Sequence, residues 1–447
     1  MSKSKSKNVP FIGDLSEEEI RHYVQEQCIK NSNNNSNKNK DEFGEVFTPL
    51  ELIDELLDNI PKYVWTNPDS RWLDPAAGIG NFPAIVYSRL IKSLESKIPN
   101  VQERKTHILS KMLFLVELNS TNVRHIRKLF GSMNQNIQQG DFLDPTIQLK
   151  EQNQCPFDVI LGNPPFQVSK KEGKYKGSVG NRTLWNKFIE KALSTSTPLL
   201  KENTGILAFL TPANWRRPEA PLYPLMTREN TLLFLHIYGK AAGLDKFGIQ
   251  SRFDTYVIQK GSLKQNPIII DEKGAKHTNI NPRKWPFLPN FAFDKIKKIL
   301  VPMSNQGKEK NEKGIPIIFS AGDYDARKLS KRKTAKYQYP VVHNITRKGL
   351  GIRYAKDKNP DQMGKDRGKV LLNFNERQYP YNDYRGQYGM SQLTFGIPID
   401  SKKEGDDWIR TIESPEFEEI LEATKWGAFQ TDHRMWRYFD RDLAQRL

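Results

Sequence analysis

From Glu45 to about Lys260, short apolar runs alternate with stretches whose apolar residues recur at helical spacing. Glu51 to Ile60, Ala84 to Leu94, Thr121 to Phe130 and Trp185 to Leu193 read as helices. Arg71 to Leu73, Met112 to Glu117, Asp158 to Leu161, Gly205 to Leu210, Leu232 to Tyr238 and Thr255 to Ile258 read as strands. Short apolar strands interleaved with helices predict an α/β fold, a mostly parallel sheet covered on both faces. Ahead of it, Asp14 to Ile29 reads as a short amphipathic helix capped by Asp14 or Ser16. The tract Asn31 to Lys40 has almost nothing apolar to bury and reads as a flexible linker. Past about residue 265 the rhythm is lost and Pro, Gly, Tyr and basic residues dominate. The expected division is therefore 1–40, helix and linker; 41–264, the α/β domain; and 265–447, a basic α+β domain. Thr424 to Tyr438, with Trp426, Phe429, His433 and Trp436, reads as core of that last domain.

Composition narrows the partners. The 447 residues carry a formal net charge of +17. Residues 321–360 alone hold eleven Lys or Arg against three Asp. That surplus favours a polyanion, since each phosphate neutralised by a cationic side chain releases counterions. A membrane surface is the rival partner; no run approaches the length of a membrane-spanning helix, so no such helix is expected, and the reading adopted has no membrane partner. The opening Met1-Ser2-Lys3-Ser4-Lys5 lacks a secretion-type apolar stretch. Two cysteines and seven scattered histidines fit neither a disulfide framework nor a zinc site, and no metal is expected.

Four segments carry candidate chemistry. Asp74-Pro75-Ala76-Ala77-Gly78-Ile79-Gly80-Asn81-Phe82 follows a strand and precedes a helix. Its glycines let backbone approach a ligand, while Asp74 argues against phosphate and for a cationic or hydroxyl-bearing group. Glu117 closes the next apolar strand, where an acid can accept from both hydroxyls of a ribose. Asp141 could accept from an adenine amine, with the Phe142 ring over its face. The fourth segment, Asp158-Val159-Ile160-Leu161-Gly162-Asn163-Pro164-Pro165-Phe166, decides the reading. Its prolines remove N–H donors and fix φ. The Asn163 side-chain oxygen and the Pro164 carbonyl become acceptors at a strand's C-terminal end, where open α/β sheets bind ligands. Two acceptors aimed at one NH₂ group raise its nucleophilicity, and Phe166 offers a face for a planar base.

These residues resemble a known family. Asn163-Pro164-Pro165-Phe166 is similar to the catalytic signature of amino-methyltransferases, and Asp74 to Phe82 to their S-adenosylmethionine loop. Gly44-Glu45-Val46-Phe47-Thr48-Pro49 resembles the motif covering the cofactor's methionine part, and Thr211-Pro212-Ala213-Asn214-Trp215 also fits. Their order resembles the gamma class of N6-adenine DNA methyltransferases, the Eco57I-like branch of restriction–modification systems, over about residues 41–260. The resemblance implies a Rossmann-like S-adenosylmethionine-dependent methyltransferase sheet with a C-terminal target-recognition domain. It assigns Phe47, Thr48, Pro49, Asp74, Ala76, Gly78, Gly80, Glu117, Asp141 and Phe142 to S-adenosyl-L-methionine. Asn163 and Pro164 would bind the target amine beside Pro165, and Phe166 would stack on an extruded base. Phe247 is the candidate second stacking ring. Lys170, Lys171 and Lys174, in the Lys/Gly-rich stretch Ser169 to Asn181, are candidate DNA contacts on a flap.

The expected activity is site-specific methylation of adenine N6 in double-stranded DNA by base flipping. A separate cognate restriction endonuclease is an expected partner. The expected location is cytoplasmic, nucleoid-associated, or in the host cell if the chain is phage- or virus-encoded. The alternative is an RNA or protein-glutamine N-methyltransferase using the same Asn-Pro-Pro-Phe loop. N4-cytosine methylation would more usually place Ser at position 163.

Overall fold

The computed structural model describes residues 9–33, 47–131, 134–145, 147, 156–167, 183–196, 198–301, 314–319, 324–374, 378–427 and 431–446. The chain forms two compact units, Met1–Ala213 with Pro224–Asn281, and Asn214–Tyr223 with Pro282–Leu447.

The first unit is built on one nine-stranded sheet. Its strands are β1 (Trp72–Asp74), β2 (Leu113–Glu117), β3 (Ile137–Gln139), β4 (Val159–Gly162), β5 (Ile206–Pro212), β6 (Thr231–Tyr238), β7 (Phe253–Gln259), β8 (Ile268–Ile270) and β9 (Lys276–His277). Its helices include α1 (Glu17–Asn33), α2 (Leu50–Asp58), α3 (Asn81–Ser93), α4 (Val101–His107), α5 (Ser120–Phe130), α6 (Trp185–Leu193) and α7 (Lys240–Phe247). The strand order is β3-β2-β1-β4-β5-β7-β6-β8-β9. Strands β1 to β5 pair in parallel, and β7 runs antiparallel to both β5 and β6. Leu73 lies opposite Phe114 on one side and Ile160 on the other. Every residue of β1, β2 and β4 is buried, the reason these strands read as continuous apolar runs.

This order fixes where a ligand goes. The chain steps outward from β1 to β2 and β3, then returns to lay β4 on the other flank of β1. The crevice at the C-terminal ends of β1 and β4 is thus the switch point of the sheet. Asp74 ends β1, Glu117 ends β2 and Gly162 ends β4.

Some elements escape the hydrophobic pattern. β3 is Ile-Gln-Gln at the sheet edge, and α4 is polar with an Asn100 side-chain cap accepting from Gln102 N and Glu103 N. The first unit runs to Asn281, beyond the expected boundary at 264, because β8 pairs with β6 and β9 with β8. The segment Asn214–Tyr223 belongs to the second unit. Arg216, fully buried, donates to Leu288 O at 2.9 Å, Pro289 O at 3.1 Å and Asn290 Oδ1 at 3.0 Å.

The second unit contains two three-stranded sheets. One joins β10 (Tyr339–Thr346), β11 (Gly349–Ala355) and β14 (Gly389–Met390); the other joins β12 (Lys369–Asn373), β13 (Tyr381–Asp383) and β15 (Thr394–Pro398). Helices α8 (Phe293–Ile299), α9 (Lys402–Ile412) and α10 (Pro415–Ala423) accompany them. Trp426 and Trp436 are buried, Trp426 donating its indole N–H to Leu288 O at 2.8 Å. The basic run Arg347-Lys348 sits exposed at the β10–β11 turn.

Candidate functional site

Asp74 is the anchor of the β1 tip. Pro75 ends the strand, and the Asp74 carboxylate folds back to accept from Ala76 N at 3.0 Å. The loop then closes through Gly80, whose φ of +93° only glycine adopts comfortably. A Cβ at Gly80 would stand 2.9 Å from the Phe130 ring, so this glycine also lets α3 pack closely against α5. At Gly78 a Cβ would meet nothing within 4 Å, so that stretch of backbone borders open space.

Glu117 ties two loops together. Its Oε2 accepts from Gly78 N at 2.8 Å and its Oε1 from Asn119 N at 2.7 Å. Each oxygen keeps a second lone pair, so the carboxylate can still accept from a ligand hydroxyl. Asp74 is 4% exposed and Glu117 8%. Burial, and secondarily the charge of Glu117, push the Asp74 carboxyl up to about 8. Two acids enclosed at neighbouring strand tips suit a cationic ligand that also carries hydroxyls.

β4 delivers the third component. Gly162 has φ +142°, and a Cβ there would stand 2.9 Å from Asp74 Oδ1. The Asn163 backbone thus begins directly beside the Asp74 carboxylate. The Asn163 amide Nδ2 donates to Thr48 Oγ1 at 3.1 Å. Thr48 is almost fully buried. Its own carbonyl accepts from Cys28 Sγ at 3.2 Å, and Asn81 Nδ2 donates to that sulfur at 3.5 Å. Burial pushes the Cys28 thiol up to about 11, so the cysteine acts as a neutral donor. The Thr48 bond decides which end of the Asn163 amide is the acceptor, and the buried Oδ1 is that end.

Pro164 is buried, while Pro165 and Phe166 are half-buried. Leu184 N donates to Phe166 O at 3.2 Å, and Gln167 pairs with Thr183 in an antiparallel bridge. The Phe166 ring packs against a small cluster of Leu52, Leu210, Phe247 and Phe253.

The structure brings Thr48, Asp74, Ala76, Gly78, Gly80, Glu117, Gly162, Asn163 and Phe166 to one edge of the sheet, with Phe47 and Pro49 flanking Thr48. The Asp141 loop joins them, since Gly140 N donates to Glu117 O at 3.0 Å. Asp141 itself is exposed, with Oδ1 on Leu143 N at 2.8 Å. Two rings expected to face a ligand are core residues instead. Phe142 is 2% exposed, stacked on Phe188 at 5.2 Å with Lys191 over its face. Phe247 is 7% exposed, edge-on to Phe253 at 5.0 Å. Phe188 covers a face of Phe142, and Phe247 is enclosed in the apolar cluster of Leu52, Leu210 and Phe253. Lys170, Lys171 and Lys174 lie outside the described residues, as do residues 34–40 of the expected linker and residues 44–46 ahead of Phe47; residues 31–33, expected as linker, instead complete α1.

Thr48 as the partner of Asn163 was not readable from either motif alone. Glu55, on α2, is a further residue of this edge, and its partners on β6 and β7 carry no sequence signature. Among the described residues no cluster of potential metal ligands occurs.

Residues 91–241 match the family model described as Eco57I restriction-modification methylase. Over those residues the chain is similar to that family. The matched segment spans α4 to β6, including the Glu117 turn and the Asn163 loop. An uncharacterized adenine-specific methylase of Mycoplasma pneumoniae is 39% identical, the match covering 38% of this chain and 55% of that protein. The chain thus spans about half the length of the curated relative it matches.

Two solved structures share the fold. The type IIL restriction-modification enzyme MmeI, in complex with DNA, is 13% identical with a TM-score of 0.51, covering 95% of this chain and 71% of that one. The DrdV–DNA complex is 12% identical with a TM-score of 0.50, covering 86% and 52%.

Proposed function

We propose that this Eco57I-like chain methylates adenine N6 in double-stranded DNA at a specific site, using S-adenosyl-L-methionine, within a restriction–modification system. One observation carries the reading. The Thr48 bond presents Asn163 Oδ1 as an acceptor at the β4 tip, and Gly162 brings that tip against the Asp74 carboxylate.

The residues fit the cofactor. Asp74 would face its cationic end, Glu117 its ribose hydroxyls, and the Gly78 backbone borders space it can occupy. When bound, S-adenosylmethionine supplies a methyl group activated by a sulfonium charge. The chain's own residues prepare the acceptor. Adenine N6 is inaccessible in a duplex, so the base must leave the stack, at a cost of a few kcal/mol. Asn163 Oδ1 and the Pro164 carbonyl would accept hydrogen bonds from the two amine N–H groups and turn the nitrogen lone pair out of the ring. Phe166 would hold the base plane, and positioning would supply most of the acceleration. A cytoplasmic location and a separate cognate endonuclease belong to the same proposal. No helix among the described residues is long and apolar enough to cross a membrane.

The second unit would read the site. It holds a cavity of about 420 Å³ lined by Tyr339, Pro340, Lys358, Met363, Gly364, Gly386, Gln387 and Tyr388. A buried ion pair organises its loops. Lys369 Nζ donates to Asp383 Oδ2 at 3.0 Å and Gln362 O at 2.7 Å, while the Asp383 carboxylate accepts from Gln387 N and Tyr388 N. Half-buried tyrosine rings beside exposed Lys358 and Gln387 suit a nucleotide.

The test is direct. Plasmid DNA incubated with the chain and labelled cofactor, then digested to nucleosides, should yield N6-methyldeoxyadenosine; label in RNA or protein instead would overturn the proposal. Lys358→Ala and Tyr388→Ala should each weaken site methylation about tenfold and leave cofactor affinity unchanged. An unaltered methylation rate and site pattern would remove the cavity from target reading.

A further inference from the structure

One carboxylate on α2 accepts three side-chain bonds from the neighbouring strands. Glu55 Oε2 lies 2.6 Å from the Tyr238 hydroxyl and 2.7 Å from His236 Nδ1, and its Oε1 accepts from Thr255 Oγ1 at 2.7 Å. An acceptor-only carboxylate requires the imidazole proton on Nδ1. His236 and Tyr238 belong to β6 and Thr255 to β7. Despite burial, which alone would raise it, Glu55 is held below the usual carboxylate range by these donors.

The placement of this cluster links it to both halves of the site. Thr48, which holds the Asn163 amide, lies two residues before the first residue of α2. Tyr238 stacks on Phe253 at 4.6 Å and 7°, and the half-buried Phe166 packs on the cluster that contains Phe253. Other bonds hold α2 as well: Asp54 pairs with Arg21 and Arg89, and Glu51 with Lys246. Those pairs are partly exposed and contribute little individually. The Glu55 hydrogen bonds join the helix to β6 and β7, beside the apolar packing of Leu52 on Leu210 and Phe253.

We infer that Glu55 is a positioning residue, fixing the Thr48–Asn163 contact through α2 and the Phe166 platform through Tyr238. The inference rests on the proposed methyl transfer at Asn163. Glu55 touches neither substrate nor cofactor. Gln at this position keeps the shape but offers one acceptor oxygen where the carboxylate has two, so the donors on the second oxygen lose their acceptor and must turn or part.

A double-mutant cycle tests it in the full chain. Single-turnover methylation is compared for wild type, Glu55→Gln, Thr48→Val and the double variant, with cofactor affinity measured alongside. Each single change should slow transfer about ten- to a hundredfold, as expected for small misplacements of a reacting group. The double variant should be scarcely slower than the worse single one, because both act on the same contact. Cofactor affinity of Glu55→Gln should move less than about threefold. Effects that multiply, or a lower melting temperature with an unchanged rate, would overturn the inference. Tyr238→Phe, which removes one donor, supplies a milder variant if Glu55→Gln folds poorly.

A second readout does not depend on activity. The Thr48 methyl resonance, assigned by its loss in Thr48→Val, should shift in Glu55→Gln. A Thr48 signal that stays put overturns the inference even where methylation is normal. A wild type that methylates nothing, with the Thr48 shift still present, faults the proposed function instead.

Discussion

Asn163→Ala should lower methyl transfer by about 100- to 1000-fold, the scale on which a single preorganised polar partner of a reacting group counts. Cofactor affinity should stay within about threefold of wild type, because Asn163 prepares the amine and not the methyl donor. The structure gives the comparison its control. Thr48→Val removes the donor–acceptor contact that orients the amide yet leaves the amide in place, so its loss should be smaller. Single-turnover rates and calorimetric cofactor binding measured on the same preparations separate these cases. If rate and cofactor affinity fall together in Asn163→Ala, the residue holds the β4 tip in shape and has no part in preparing the amine. Asn163→Asp should be nearly as damaging. It offers two acceptor oxygens and no N–H, so Thr48 Oγ1 loses the donor it has in the wild type, and a negative charge is placed beside the buried Asp74 carboxyl.

What the sequence discloses follows from how far apart the cooperating residues lie. β2 is read correctly because Leu113 to Val116 are apolar on both faces, a pattern that needs no partner to be recognised. The Asp74 loop and the Asn163 loop are each continuous, so both are visible as motifs. Their meeting is less visible: it depends on the close approach of Gly162 to Asp74, set by strand order and not by either loop. Glu55 leaves no trace, since its three partners are 181, 183 and 200 residues away. The same reason hides Arg216, whose acceptors are 72 to 74 residues on and which draws its segment into the second unit. Phe142 and Phe247 were misread for a related cause. An aromatic beside a loop looks like a stacking surface until its tertiary neighbours are known, here Phe188 stacked on Phe142 and the apolar cluster that encloses Phe247.

Asp74→Asn should stabilise the ligand-free chain while disabling it. The wild-type carboxyl is raised from an ordinary 3.8 to about 8 in the folded protein, chiefly by burial. As pH climbs through that window, the unfolded chain releases a proton that the folded chain retains. Stability therefore falls from about pH 4 upward and levels off above about 8, by an amount on the order of a few kcal/mol. A neutral Asn carries no such penalty. Melting temperatures of wild type and variant should accordingly diverge as pH rises from about 5 to 8, the variant on top. A cationic ligand reverses the preference, because it favours the ionised carboxylate. Between about pH 5.5 and 7.5 wild-type affinity for S-adenosylmethionine should rise with pH, by at most tenfold per unit. In Asp74→Asn the affinity should be at least about tenfold weaker and the slope should vanish. An equal slope in the variant would assign the titration to another group, and unchanged affinity would mean that the β1 acid does not face the cation. The opposed outcomes in stability and binding are what separate a ligand-facing acid from a structural one: a carboxylate kept for its bond to Ala76 N would lose stability on substitution, whereas one enclosed for a cation should gain it.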